Sequence, residues 1–424
     1  MTGSTQWHIP EDFYEIPSRV EGISVFASKP KDVLEQAPRS YKCPQCGAAT
    51  RFDVAHGGVS CEHCGYLARS TEKSVGQAAE QHEFTLEALV LAEQGWGIDR
   101  PNLHCDSCGA ELSLSPEALT SSCPFCASNK VNISKAPADI LRPKFLIPFK
   151  VVPENVQSFA REWLGKGWFH PPELASSALI HRFKGIYLPY WTFDALINAD
   201  WRAQVGYERT VRDREGNSRT VIDWRWESGN ARLMFDDLPQ TGTNKVSNFL
   251  LEKLLPFQMH DLVAYSPDFL AGWQAQNYNV VLPDAWQTAK DKMREKAQAA
   301  CRGQIRSSHV RNFSMTANFS DEAWRYVLLP VYLAVYKHEN RVFQVMVNGQ
   351  TGAVAGQKPV AWWKIWLAIA ALFLPGMTLG LIGLPLLLFA GIGMVPIILG
   401  LILLIPGGIF SFLLYQKAID SERS

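Results

Sequence analysis

Apolar residues are spaced in three different ways along this chain. From Ile365 to Gln416 they run almost unbroken, and those 52 consecutive residues hold no Asp, Glu, Lys or Arg. A hydrocarbon core of ~30 Å takes about 20 helical residues to cross. The run therefore predicts two crossings, near 363–383 and 395–415, with a short uncharged turn between them. Pro375, Pro385, Pro396, Pro406 and eight glycines interrupt it, which lipid-buried helices tolerate better than exposed ones. In the middle of the chain, Trp191, Phe193, Ala195 and Ile197, and again Val331, Leu333 and Val335, alternate as strands do. The stretch 283–307 is amphipathic with Pro283 and Asp284 at its start, and predicts the longest helix outside the apolar run. A further helix is expected over 71–94, with Phe84, Leu86, Leu89, Val90 and Leu91 as its stripe and Gly95 as its stop.

The middle pattern repeats. Ile147-Pro148-Phe149 resembles Leu255-Pro256-Phe257; each precedes an aromatic-bearing helix, expected at 156–168 and 266–278. A strand start follows in both halves, Tyr187-Leu-Pro-Tyr-Trp191 and Leu328-Leu-Pro-Val-Tyr332, and then a hairpin turning near Asp213–Gly216 and His338–Asn340. The fold class is α+β: two metal-binding ribbons, a mixed domain with an internal duplication, and a C-terminal two-helix hairpin. The expected boundaries are an N-terminal segment 1–38, ribbons at 39–70 and 101–133, a connecting helix 71–100 and a linker 134–144. The duplicated domain follows at 145–359, the transmembrane hairpin at 360–417 and a tail at 418–424.

The ribbons rest on cysteine. Cys43, Cys46, Cys61 and Cys64, then Cys105, Cys108, Cys123 and Cys126, form two copies of C-x2-C-x14-C-x2-C, 62 residues apart. A CxxC turn offers two thiolates to one ion, and two such turns complete a tetrahedral shell. Gly47, Gly65 and Gly109 follow the second cysteine of their turns and permit the tight backbone. Twenty-two residues per unit are too few for an apolar core, so an ion must supply the folding energy, on the order of 10–16 kcal/mol for structural zinc. Two zinc ions per chain are expected, both structural, since four cysteines leave no open position. Disulfides or an iron–sulfur cluster are the lesser alternatives. His56, His63 and His104 lie nearby and are expected as solvated loop residues, and Cys301 as a small buried side chain.

Charge narrows the function. Lys+Arg and Asp+Glu both number 41, which argues against a protein that coats nucleic acid. Basic residues around the ribbons (Lys42, Arg51, Arg69, Lys130, Lys135) are offset by Asp53, Glu62, Asp106 and Glu111. Protein contact is the favoured use of the ribbons; a membrane-tethered nucleic-acid-binding protein is the alternative. Lys358 and Lys364 before the apolar run, and Lys417 and Arg423 after it, place both termini in the cytoplasm. Trp362, Trp363, Trp366 and Tyr415 form the interfacial belt. The N-terminal stretch has acidic residues and no apolar core, and is not expected to be a signal peptide. The expected location is the cytoplasmic (inner) membrane, and the bilayer is the first partner.

No Walker A loop, HExxH, GxSxG or GxGxxG occurs, and no enzymatic role is expected. Asp236-Asp237 is read as a loop cap; with His260 it is the least poor candidate for chemistry. Trp191, Trp201, Trp224 and Trp226 are read as sheet core.

The paired ribbons, together with Gly185-Ile-Tyr-Leu-Pro-Tyr-Trp-Thr-Phe-Asp-Ala195, Tyr265-Ser-Pro-Asp-Phe-Leu-Ala-Gly-Trp273 and Val347-Asn-Gly-Gln-Thr-Gly352, resemble bacterial TFIIB-type zinc ribbon-containing proteins. Some members carry a primosomal, PriA-like helicase label, which does not suit a chain without the helicase motor. The resemblance implies a membrane-anchored adaptor with protein partners of phage-shock or SPFH type, in a membrane-stress module.

Overall fold

The computed structural model describes residues 13–16, 25–28, 41–69, 82–83, 96, 100–114, 122–135, 140–171, 174, 183–212, 218–338, 341–386 and 393–423. Residues 1–40 form a unit of their own, in which Phe13–Ile16 pairs antiparallel with Val25–Ser28. The rest is a mixed α+β body carrying two four-cysteine clusters and ending in two apolar helices.

Four strands set the frame: β1 (Lys184–Arg212), β2 (Ser218–Thr241), β3 (His309–His338) and β4 (Arg341–Asn348). β1 is central, antiparallel to β2 on one side and to β3 on the other, and β3 continues into β4. At ~3.3 Å per residue, 29 residues give β1 a contour of about 95 Å. Alternation delivers the core on one face: Ala195, Ile197, Ala199, Trp201 and Ala203 are buried, while Asp200 and Arg202 are exposed. Helix α1 is Pro153–Gly165 and α2 is Leu282–Gly303. α2 turns Ala285, Trp286, Ala289, Met293, Ala297 and Cys301 to that apolar face. Cys301 is fully buried, as expected, its thiol 3.9 Å from the Ala199 carbonyl oxygen.

The order short strand, helix, long strand pair occurs twice: Phe145–Leu146, α1, β1–β2, then Val263–Ala264, α2, β3–β4. The two short strands pair antiparallel with each other, and Leu188 lies opposite Leu329 in the β1–β3 ladder. The helix expected at 266–278 does not form. Pro267–Leu270 is a single 3-10 turn, with the Ser266 hydroxyl accepting from the Asp268 N–H, and Gln274–Gln276 is a strand. Gly272, at φ 75°, breaks the chain between them. The second helix of the pattern is α2 instead.

Of the helix expected over 71–94, only His82–Glu83 are described, and they are extended, paired with Trp324 and Ala323. A sheet edge in need of backbone partners overrides helical spacing there; the remainder of that expectation lies outside the described residues. The turn expected near Asp213–Gly216 also lies outside them, although Arg212 and Ser218 pair across it. The linker expected at 134–144 begins inside a strand, since Ser134 and Lys135 pair with Asn102 and Pro101.

The C-terminal helices, α3 (Trp362–Leu386) and α4 (Met394–Arg423), pack as a hairpin, and both are long and apolar enough to cross a membrane. Leu367, Leu381 and Ile405 stand about two-thirds exposed, which a soluble core helix would not allow. Small residues bring the helices together: a Cβ on Gly376 would meet the Gly400 carbonyl oxygen at 2.9 Å. The helical backbone continues through Arg423, past the hairpin boundary expected at 417. Ile365 and Ala418 are both buried, and Trp362 and Tyr415 rings lie 5.7 Å apart. Both outer ends therefore sit on the same side.

Candidate metal centres

All four CxxC turns fold alike. The first cysteine donates its N–H five residues on and accepts from the N–H four residues on: Cys43 with Ala48 and Gly47, Cys61 with Tyr66 and Gly65, Cys105 with Ala110 and Gly109, Cys123 with Ser128 and Ala127. The residue after the second cysteine is left-handed in each, at φ 73°, 74°, 65° and 58° for Gly47, Gly65, Gly109 and Ala127. Ala127 is the one position of the four without glycine, and an L-residue there costs about 1 kcal/mol.

These turns converge the sulfurs. Within each cluster the four Sγ atoms lie within 4.8 Å of one another. Cys43–Cys64 and Cys46–Cys61 are 3.5 and 3.6 Å apart, and Cys105–Cys126 and Cys108–Cys123 are both 3.7 Å. A tetrahedron with metal–sulfur bonds of ~2.3 Å has edges of about 3.8 Å, so both sets fit one four-coordinate ion. A disulfide would bring sulfurs to ~2.05 Å. Burial favours the neutral thiol at Cys43, but N–H groups of Cys46 and Gln45 turned toward its sulfur draw it down to about 7. Cys105 is likewise lowered, against its own burial, by N–H groups of Cys108 and Ser107. In each set the backbone thus favours one thiolate, whereas burial and the neighbouring thiols raise Cys64 and Cys108. The neighbouring histidines find other partners: His56 Nδ1 is 2.8 Å from Asp53, and His104 Nδ1 is 3.4 Å from Glu111.

The two centres are repeats in sequence but not in setting. The first ribbon is a separate three-stranded sheet, Arg51–Asp53, Gly58–Ser60 and Leu67–Arg69, with Cys46 and Cys64 exposed. It rests on the segment Ser266–Trp273: the Phe52 N–H donates to the Ala271 carbonyl, Trp273 Nε1 donates to the Phe52 carbonyl, and Tyr41 donates to the Pro267 carbonyl. Buried Arg100 ties this saddle to the second ribbon, donating to Tyr41, to the Leu270 and Trp273 carbonyls and to the Ser113 hydroxyl. The second ribbon belongs to the main sheet. Its strands Pro101–Cys105, Glu111–Ser113 and Val131–Lys135 join β1 through Gln274–Gln276. Leu103, Leu112, Leu114 and Phe125 are buried in the same cluster as Phe145, Ile147 and Leu188. Gln344 of β4 also donates to the Phe125 carbonyl inside the Cys123–Cys126 turn.

Sequence reasoning missed Asp194 and Arg325, which complete a third cluster with Asp236 and Asp237. Asp236 and Asp237 are not a loop cap: they lie within β2, beside a register shift in its pairing with β1. Asp237, at φ 54°, donates its backbone N–H to the Asp194 carboxylate at 2.6 Å. The fully buried Arg325 binds Asp237 and lies 3.7 Å from Asp194. Burial, then the charges of Asp194 and Asp236, push Asp237 up to about 6 against the pull of Arg325. His260 is an exposed residue paired with neighbouring Asp261, away from this group. Trp191 and Trp201 are core as expected, whereas Trp226 is half exposed under Arg202, and Trp224 lies under Arg311. A periodicity of two marks the strand but not which end of it the helix covers.

No family model matches the chain, and no solved structure matches it. Among curated proteins it is similar to the uncharacterized protein YdjG of Bacillus subtilis (strain 168), at 25% identity over 341 residues, covering 77% of this chain and 92% of that protein.

Proposed function

We propose that the chain is a membrane-anchored, non-enzymatic scaffold of the TFIIB-type zinc-ribbon kind, whose two zinc ions are structural and whose body presents a protein-binding surface in the cytoplasm. The hairpin anchors it in the inner membrane, with Lys358, Lys364 and Lys417 on the cytoplasmic side. Closed all-cysteine shells leave the ions no position for substrate, which suits bracing and not catalysis. The observation that carries the reading is the edge of β2. Over 24 residues it pairs only with β1 among the described residues. A strand edge of that length is a template for an added strand. Arg219, Arg225, Glu227 and Arg232 along it restrict which strand fits.

Following the resemblance, the partner is of phage-shock or SPFH type. Affinity capture of the detergent-solubilised full chain from membranes should recover such a protein, and replacing Arg219, Arg225 and Arg232 on the β2 edge by glutamate should release it while the chain stays in the membrane. Recovery of lipid and background alone would count against the scaffold.

A further inference from the structure

The hairpin root is strapped to the body beside a recess. The Ala361 N–H donates to the Phe169 carbonyl at 2.7 Å, Lys364 Nζ donates to the His170 carbonyl at 2.8 Å, and His170 Nδ1 lies 3.0 Å from the Pro359 carbonyl. The adjoining recess, of about 180 Å³, is lined by Trp163, His170, Lys253, Gly356 and Lys358 among others, with no acidic side chain among its described lining. Lys358 is 6% exposed. Its ammonium donates to the Lys166 carbonyl at 2.9 Å and to the Trp163 carbonyl, and lies 4.0 Å over the Trp163 ring. Those carbonyls close the C-terminal end of α1, whose dipole favours a cation. Two bonds leave one N–H of three. Among the described residues no carboxylate lies within ion-pair distance of Lys358, and Glu162, in the last turn of α1, is engaged by Lys166 at 2.7 Å. A buried cation without a counter-charge is costly unless an anion joins it.

The recess also lies at the right depth. Trp362 opens α3 four residues after Lys358, no more than about 14 Å of extended chain. Trp168, Trp363 and Trp366 are all more than half exposed around this root, as aromatic residues are at the headgroup level.

We propose that this recess binds the phosphate headgroup of an anionic membrane lipid, with Lys358 and Lys253 as its cationic contacts. The inference rests on the membrane-spanning reading of the hairpin. A lipid is favoured over free phosphate because headgroups are concentrated at that surface and attract juxtamembrane lysines. The test is native mass spectrometry of the full chain released from nanodiscs of phosphatidylcholine with or without phosphatidylglycerol, with inorganic phosphate titrated in a separate arm. One phosphatidylglycerol should be retained in preference to phosphatidylcholine. Lys253→Gln, an exposed change that leaves the fold intact, should reduce the preference about fivefold, the worth of one lysine near an anionic surface. Lys358→Met should abolish it, and Arg209→Gln, far along β1, should leave it unchanged. Equal retention of both lipids would overturn the proposal, as would a preference surviving both lysine changes, or saturable phosphate binding without lipid preference. Failure to enter phosphatidylcholine bilayers at all would overturn the membrane reading and this proposal with it.

Discussion

Breaking the two metal centres should have unequal consequences. Cys46→Ser with Cys64→Ser removes two ligands from the first ribbon; Cys108→Ser with Cys126→Ser removes the corresponding pair from the second. Each variant forfeits one structural ion, nominally about 10–16 kcal/mol of apparent binding energy. The outcomes diverge because the two cysteine clusters sit in different parts of the fold. The first ribbon's sheet pairs with no strand of the body among the described residues, so its opening undoes a docking contact centred on Phe52 and Phe269. The second ribbon's opening removes three strands from the main sheet and uncovers Leu103, Leu112, Leu114 and Phe125. At about 1.5–3 kcal/mol per side chain, the exposed area costs about 6–12 kcal/mol, comparable with the whole stability of a domain, about 5–15 kcal/mol.

The assay is hydrogen exchange with mass spectrometry on the full chain in detergent, alongside metal content per chain. The first variant should retain one zinc and lose protection over 51–53, 58–60 and 67–69. The second should lose protection through 274–276 into 184–190 and should aggregate. Equal loss in both, or a second variant that stays monodisperse with 274–276 protected, would refute the argument that the main sheet depends on the second ion.

Four further substitutions probe single devices. Arg325→Met leaves Asp194 and Asp237 without their buried cation and should cost about 3–5 kcal/mol in chemical denaturation, part of it recovered by adding Asp237→Asn. Because Asp237 is raised to about 6 in the folded chain, it binds a proton there that the unfolded chain releases at ~4. Its stabilising contribution is full below pH ~4 and lost as pH rises through 6; Asp237→Asn should therefore gain on the wild type between pH 4 and 6 in parallel melts. Ala127→Gly relieves a left-handed residue and Gly47→Ala creates one where no atom lies within 4 Å of the added Cβ. Chelator competition should show the second centre tightened and the first weakened, each by about 1 kcal/mol or fivefold.

Legibility in the sequence followed how local each cause was. The CxxC turns are set by residues within five positions of one another, so ligand sets and turn glycines could be read directly, and the S···S distances agree with them. The uncharged run is equally local, since its length against a fixed hydrocarbon thickness decides the crossings. The Asp194–Asp237–Arg325 group could not be read in this way. It joins three strands through a register shift, and nothing in Asp236-Asp237 itself distinguishes a bulge from a loop. Ser266–Trp273 shows the opposite failure. Its aromatic spacing suits a helix, but its carbonyls and the Trp273 indole N–H serve the first ribbon and Arg100, and tertiary hydrogen bonds outweigh a weak helical preference. Ala127 marks the limit of the glycine signal, because a knuckle closed by sulfur ligands holds an alanine in the glycine conformation.

The unequal setting of the ribbons also fixes what the body can transmit. From the Cys123–Cys126 turn the bonds run through Phe125 to Gln344 of β4, whose carbonyl accepts from the Gln357 N–H. The Gln357 carbonyl accepts from the Tyr336 hydroxyl, and the next residue, Lys358, binds the end of α1 just before the hairpin root. The second cysteine cluster, the main sheet and the segment leading into α3 thus share one chain of hydrogen bonds. The first ribbon stands outside that framework and meets it at one saddle. A partner that displaces the first ribbon loads the Tyr41–Arg100–Trp273 contacts before any other. The links from the hairpin root to the second ribbon run through the Lys358, Tyr336 and Gln344 side chains, none of which a change at the saddle touches. The repeated motif therefore serves two mechanical roles: one copy is part of the frame, and the other is carried on it.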